Sequence, residues 1–340
     1  MKKILNCVEP TIRTYLGDAF CFSIINEFAF SKGWVFDKYI NIQYNPNDQH
    51  IKYADYDYYD FVAGEGVFIK SFTQIPISKC NQQFICKVIE QMIDDGEYFF
   101  ALFDENVVTN YLFGKQSTEI FEHGCFIYGY DSVTKVFFME GYVKDEKWEK
   151  YEIPYDVLYK ALSYYPEKGE IAFLGYQMVK NYDWSFDYKR MYRSLEDYMN
   201  ECQCKDLSAT RRFFEDIVDT KIIHYPSAYC LLEHKKLMKK RILFLIAEGY
   251  ISLEQAQLQL FDEIEKDYEK ILMLVIKYNV TNIEKLLKKI YKLGIQALGK
   301  EYEYMKSLLG SLPVDVGCYN IITANKRKGG SIKQGESSGK

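Results

Sequence analysis

The sequence is short of the residues that break or staple a chain. Of 340 residues only 7 are proline and 20 glycine, while 48% are hydrophobic. That balance excludes collagenous, low-complexity and disordered proteins. Histidine is scarcer still, with four: His50, His123, His224 and His234. None is spaced as HExxH, no CxxC occurs, and Cys202 and Cys204 form a lone pair, so no metal site is expected. There is no GxGxxG and no P-loop; residues 64–66 form a bare Gly-x-Gly, read as a turn. Apolar runs such as Ile242 to Ala247 fall far short of the roughly 20 residues that span a bilayer. The N-terminus starts basic but lacks the apolar core and cleavage site of a signal peptide, so a soluble cytoplasmic protein is expected. The net charge of −5 and pI of about 5.6 argue against general nucleic-acid binding.

Cysteine is present, but not as a framework. Nine cysteines, an odd number without regular spacing, make a poor disulfide scaffold. Reduced thiols acting as small buried hydrophobes are the expected state of most of them. The charge is uneven: residues 1–180 carry a net −9 and the rest a net +4, which fits two domains with different jobs.

The pattern predicts a helix over 20–33, with Phe22, Ile25, Phe28 and Ala29 on one face, Gly33 at its stop and Cys21 in its first turn. A second helix is predicted over 80–95, ending at Gly96, and a buried strand over 98–103. In residues 124–143 two apolar-aromatic runs flank the polar segment Asp131 to Thr134 and predict a hairpin. Another strand is expected over 171–179. Helix early and antiparallel strands late make an α+β domain over 1–180. Between 188 and 309 the spacing predicts five or so helices, packed as a bundle or as hairpins in a helical domain over 185–312. Capping boxes are expected at Ser252/Gln255 and Thr281/Glu284. Residues 325–340 read as a disordered tail. His224 and His234 read as satisfied structural histidines, and Lys235 to Arg241 as a solvated basic helix face.

One cysteine differs from the rest. A helix N-terminus lowers a thiol pKa through its dipole, and its free N–H groups can hold a developing oxyanion. Cys21 is predicted at such a place, and His123 opens a strand. Glu140 lies on the other arm of the hairpin, which gives the order Cys, His, acid a route to a triad. Asp131 competes with Glu140, but a Gly-Tyr-Asp turn has its own local reason. Cys125, beside His123 on the strand, is expected to face away from it.

Three stretches then carry a likeness. GDAFCFSIINEFAFSKG starts a helix near cysteine; EYFFALFDENVVTNYLF is a strand ending in aspartate; EHGCFIYGYDSVTKVFFMEGY sets histidine before an apolar strand, a turn and an acid-bearing strand. Over about residues 10–175 the chain resembles the papain-like (C39 peptidase-like) cysteine enzymes related to the N-terminal domain of the butirosin-biosynthesis acyltransferase. The resemblance implies an early nucleophile helix packed on an antiparallel sheet, with Cys21 as nucleophile, His123 as base and Glu140 as orienting acid. The family pattern has Asp where Glu140 stands. Its peptidase members carry an oxyanion glutamine six residues before the cysteine, where this chain has Tyr15.

The resemblance implies acyl transfer from a carrier-protein thioester, through a Cys21 acyl-enzyme, to an amine or diamine. No cofactor is implied beyond the carrier's own phosphopantetheine. Tyr15 and Asp18 are candidates for oxyanion or substrate contact, and Asp104 or Glu105 for holding the amine. The implied partner is an acidic acyl or peptidyl carrier protein, steered by Lys235, Lys236, Lys239 and Lys240. A peptidase or thioesterase of the same fold, and a non-catalytic binding protein, stay open as alternatives.

Overall fold

The computed structural model describes residues 1–26, 31–54, 67–76, 81–114, 117–142, 147–163, 170–179, 185–203 and 208–313. The expected turn at 64–66, Phe28, Ala29, Cys204 and the tail at 325–340 lie outside them. The chain divides into two compact units, Met1–Trp34 with Asp55–Ser185, and Val35–Ala54 with Phe186–Lys340. The fold is α+β, and residues 35–54, expected in the first domain, belong to the second unit.

The first unit is built on an antiparallel sheet. Its strands are β1 (Lys2–Ile4), β4 (Phe68–Pro76), β5 (Tyr98–Asp104), β6 (Glu122–Asp131), β7 (Val136–Tyr142), β8 (Trp148–Pro154) and β9 (Glu170–Met178). The spatial order is β4-β9-β5-β6-β7-β8, with β1 added to the far end of β6. Alternation gives the sheet two faces. On one, Phe99, Ala101, Phe103, Cys125, Ile127, Phe137 and Met139 form a core with the helices α3 (Gln82–Asp94), α4 (Glu105–Phe113) and α5 (Tyr155–Leu162). The other face receives α1 (Leu16–Ile25), whose Phe20 stacks on Phe126 at 4.9 Å and touches Phe100 and Trp148.

The predicted hairpin, the strands at 98 and 171 and the helix ending before Gly96 are all present. Gly96 takes φ +85°, a conformation that suits glycine at a helix end. The helix predicted over 20–33 is not one helix. It starts earlier, at Leu16, and its last residue is Ile25; Gly33 lies inside α2 (Ser31–Asp37) rather than stopping a helix. Cys21 is therefore the sixth residue of α1, past the first turn.

The second unit holds α6 (Tyr188–Gln203), α7 (Ala209–Thr220), α8 (Tyr225–Ala247), α9 (Gln255–Thr281) and α10 (Glu284–Ser311). The hairpin of β2 (Ile42–Asn45) and β3 (His50–Tyr53) packs on α7 and α8. The capping expectations need correcting. Glu254 caps α9 and forms its box with Gln257. Thr281 ends α9, its hydroxyl donating back to the Lys277 carbonyl, and Ile283 precedes α10.

The basic stretch of α8 is not a solvated face. Lys235 is fully buried, and its three protons are all placed: on Glu301 Oε1 (2.6 Å), Tyr198 Oη (2.7 Å) and His234 Nδ1 (3.0 Å). The Tyr268 hydroxyl donates to the other Glu301 oxygen. His234 accepts on Nδ1, so its Nε2–H donates to the Ile40 carbonyl. Arg241, also fully buried, donates to the carbonyls of Phe36, Lys38 and Tyr39. Lys236 pairs with Glu269, and Lys239 with Asp262 and Glu265. Lys235 is thus not available to an incoming partner, and the charges of Lys236 and Lys239 are met within the unit.

Candidate active site

Asp104 ends β5 and caps α4; its Oδ1 accepts from Asn106 N (3.1 Å) and Phe121 N (3.0 Å). Asx side chains favour such positions because they satisfy N–H groups that the first helical turn leaves open. Glu105 opens α4, and its backbone N–H donates to the Phe121 carbonyl at 2.9 Å. This corner holds Glu105 against the start of β6, where His123 sits opposite Phe103. The Glu105 carboxylate is hydrogen-bonded to His123 Nδ1. Neither acid is left free to hold an amine in the expected way: Asp104 is a helix cap and Glu105 is engaged by His123.

The pair borders a narrow cleft walled by Leu16, Val108, Thr109, Gly124, Tyr142 and Tyr151. Its free volume of about 10 Å3 has room for about one water. Leu16 opens the helix that carries Cys21. Phe121 lies 5.6 Å from the imidazole, centroid to centroid, and is half exposed, as is its neighbour Ile120.

Cys21 is buried in the middle of α1. Desolvation, followed by the nearby Asp18 charge, pushes its thiol well above the ordinary range, against a smaller opposing effect of Lys70. Asp18 is itself fully buried in the first turn. Cys21 lies beyond the four residues whose N–H groups lack helical acceptors, so the dipole argument for a lowered thiol pKa does not apply. Tyr15 is the residue before α1, and its carbonyl accepts from Ala19 N.

Glu140 is elsewhere. It is 1% exposed, accepts from the Cys7 thiol at 3.4 Å, and sits opposite Lys150 on β8. Burial raises its carboxyl pKa. The same burial, with the Glu140 charge, pushes the Cys7 thiol up to about 12. His123 and Glu140 occupy opposite faces of the sheet. Ile127 pairs with Met139 but Gly129 with Phe138, so a bulge inserts one residue into β6. A one-residue shift moves every later side chain to the other face. The structure brings His123 and Glu105 together; it puts neither Cys21 nor Glu140 in hydrogen-bond contact with His123. Cys125 lies on the same face as His123, as residues two apart on a strand must, and packs in the core.

Sequence reasoning passed over Glu105 as partner to histidine. The signal was there: Asp-Glu at the end of a strand that pairs with the strand opening at His123. Among the described residues, no group of His, Cys, Asp and Glu side chains is arranged to hold a metal ion. No helix of the described residues is long and apolar enough to cross a membrane. No protein-family model matches the chain, and no curated protein matches it.

Proposed function

We propose that the first unit is a papain-like, cysteine-dependent acyltransferase that forms amides from carrier-bound thioesters, in thiotemplated biosynthesis of peptide antibiotics of the closthioamide kind. The observation that carries this reading is the acid-held imidazole of His123. It lies in the stretch with the most specific family likeness, at a cleft whose wall includes the head of the Cys21 helix. Cys21 is the nucleophile and His123 the base; α1 packs on the sheet face opposite to the one that carries His123, so proton transfer between them needs a rearrangement of this arrangement.

In this reading the thiol rests protonated, because burial disfavours the thiolate. His123 takes the proton as sulfur attacks the thioester carbonyl, rather than storing it in a preformed ion pair. The C–S bond to phosphopantetheine breaks, and the carrier thiol leaves with the proton returned by His123. One thioester has replaced another at near-equal free energy. An amine then attacks the acyl-enzyme, His123 takes its proton, and Cys21 leaves as a thiol. The amide is more stable than the thioester, so no ATP is spent.

The burial of Cys21 favours a second reading, a binding protein that keeps the fold without the chemistry. Offering a small acyl-pantetheine thioester with a short diamine separates the outcomes. Amide formation that Cys21→Ala abolishes and His123→Ala slows by about 10^2–10^4 is expected. Free acid as the main product would make the protein a thioesterase. No Cys21-dependent turnover would leave the binding reading.

A further inference from the structure

We infer that Glu105 is the positioning residue of His123, fixing its tautomer so that Nε2 is the basic nitrogen. The inference rests on His123 being the base of the proposed site, but its test needs no reaction. A carboxylate only accepts, so the nitrogen bonded to Glu105, Nδ1, carries the proton of the neutral ring, and the lone pair falls to Nε2.

The placement is built into the backbone. Phe121, two residues before His123, is tied twice to the β5–α4 corner: its N–H donates to Asp104 Oδ1 and its carbonyl accepts from Glu105 N. The segment leading to it is tied to α4 as well. Asn106 Nδ2 donates to the Glu119 carbonyl (2.7 Å), and Asn110 exchanges two bonds with Ser117 (2.9 and 3.2 Å). The acid and the imidazole are therefore presented by backbones locked to each other. Their side chains are 19% and 35% exposed, so solvent screens the pair only in part. Glu140 cannot take this part, since it faces the other side of the sheet and accepts from Cys7. The chain order of the site becomes nucleophile, acid, base, rather than nucleophile, base, acid.

The test is the nitrogen spectrum of the full-length protein labelled with 15N-histidine, at pH 8. Free imidazole prefers the proton on Nε2. We expect His123 to be mainly Nδ1–H in the wild type and mainly Nε2–H in Glu105→Ala. Glu105→Gln keeps an acceptor oxygen in reach and restores Nδ1–H, which loss of fold alone would not do. Glu140→Ala leaves the His123 signals unchanged. A wild-type His123 that is already Nε2–H, a Glu105→Ala spectrum identical to wild type, or a switch caused by Glu140→Ala would each overturn the inference. The spectrum uses no acyl donor, so a protein that forms no amide still gives a clear answer on Glu105.

Discussion

Burial decides the chemistry of single residues more than sequence neighbours do. A cysteine in a first helical turn is activated; Cys21 lies further along α1, where burial and then the Asp18 charge hold its thiol protonated. Iodoacetamide at pH 7 should therefore alkylate Cys21 no faster than the buried Cys86, Cys125 or Cys230. Peptide mapping after brief labelling checks this; preferential capture of Cys21 would mean a resting thiolate. Asp37 is the converse case. Its side chain is buried near Arg190 (3.5 Å), and desolvation pushes its carboxyl up to about 7 against the attraction of that arginine. The unfolded chain releases this proton near pH 4 and the folded chain near 7. The stability tied to the protonated acid is thus complete below about pH 4 and lost as pH rises through 7. Asp37→Asn should raise stability by about 1–3 kcal/mol at pH 8.5, with the gain shrinking toward pH 4. A constant difference across that range in thermal melts would refute the assignment.

At the scale of elements, local pattern was legible and register was not. The β6–β7 hairpin follows from two apolar-aromatic runs around a polar turn, and the end of α3 from the glycine at 96. The face of Glu140 does not, because one extra residue in β6 reverses it, and the continuous apolar-aromatic run from Phe126 to Tyr130 has no alternation in which the extra residue would show. Gly129 has its own reason: a Cβ there would sit 2.7 Å from the Lys3 carbonyl, where β1 joins the sheet. Gly129→Ala should cost about 1–3 kcal/mol in denaturant unfolding by forcing β1 away; no change would show that β1 contributes nothing. The helix expected over 20–33 failed because apolar spacing of three and four continues past a real end at Ile25. The network around Lys235 was also invisible, since a lysine-rich helical stretch looks solvated unless its partners on α6, α9 and α10 are known. Lys235→Met alone leaves the Glu301 charge buried and should cost about 3–5 kcal/mol, and Lys235→Met with Glu301→Leu should recover most of it. A double variant as unstable as the single one would mean that the network does more than satisfy its own charges.

For the whole molecule, the consequential finding is that the second unit is discontinuous in sequence. Ile40 accepts from His234, and three carbonyls at 36–39 hold the buried Arg241. A fragment of residues 186–313 should lack a cooperative thermal transition, whereas the same fragment fused to residues 35–54 should regain one. A cooperative melt of the shorter fragment would show that these contacts are dispensable. No composition signal marks a twenty-residue segment that folds with distant helices. Nor does the basic excess translate into a carrier surface at Lys235, which is spent inside its own unit. The proposed function is covalent: acyl groups would pass through Cys21. It is tested most directly by intact mass of the full-length protein after exposure to an acyl-loaded carrier protein, followed by peptide mapping. One acyl adduct on Cys21 is expected, absent in Cys21→Ala and discharged as amide by added diamine. An adduct that persists in Cys21→Ala, or none in the wild type, would contradict it.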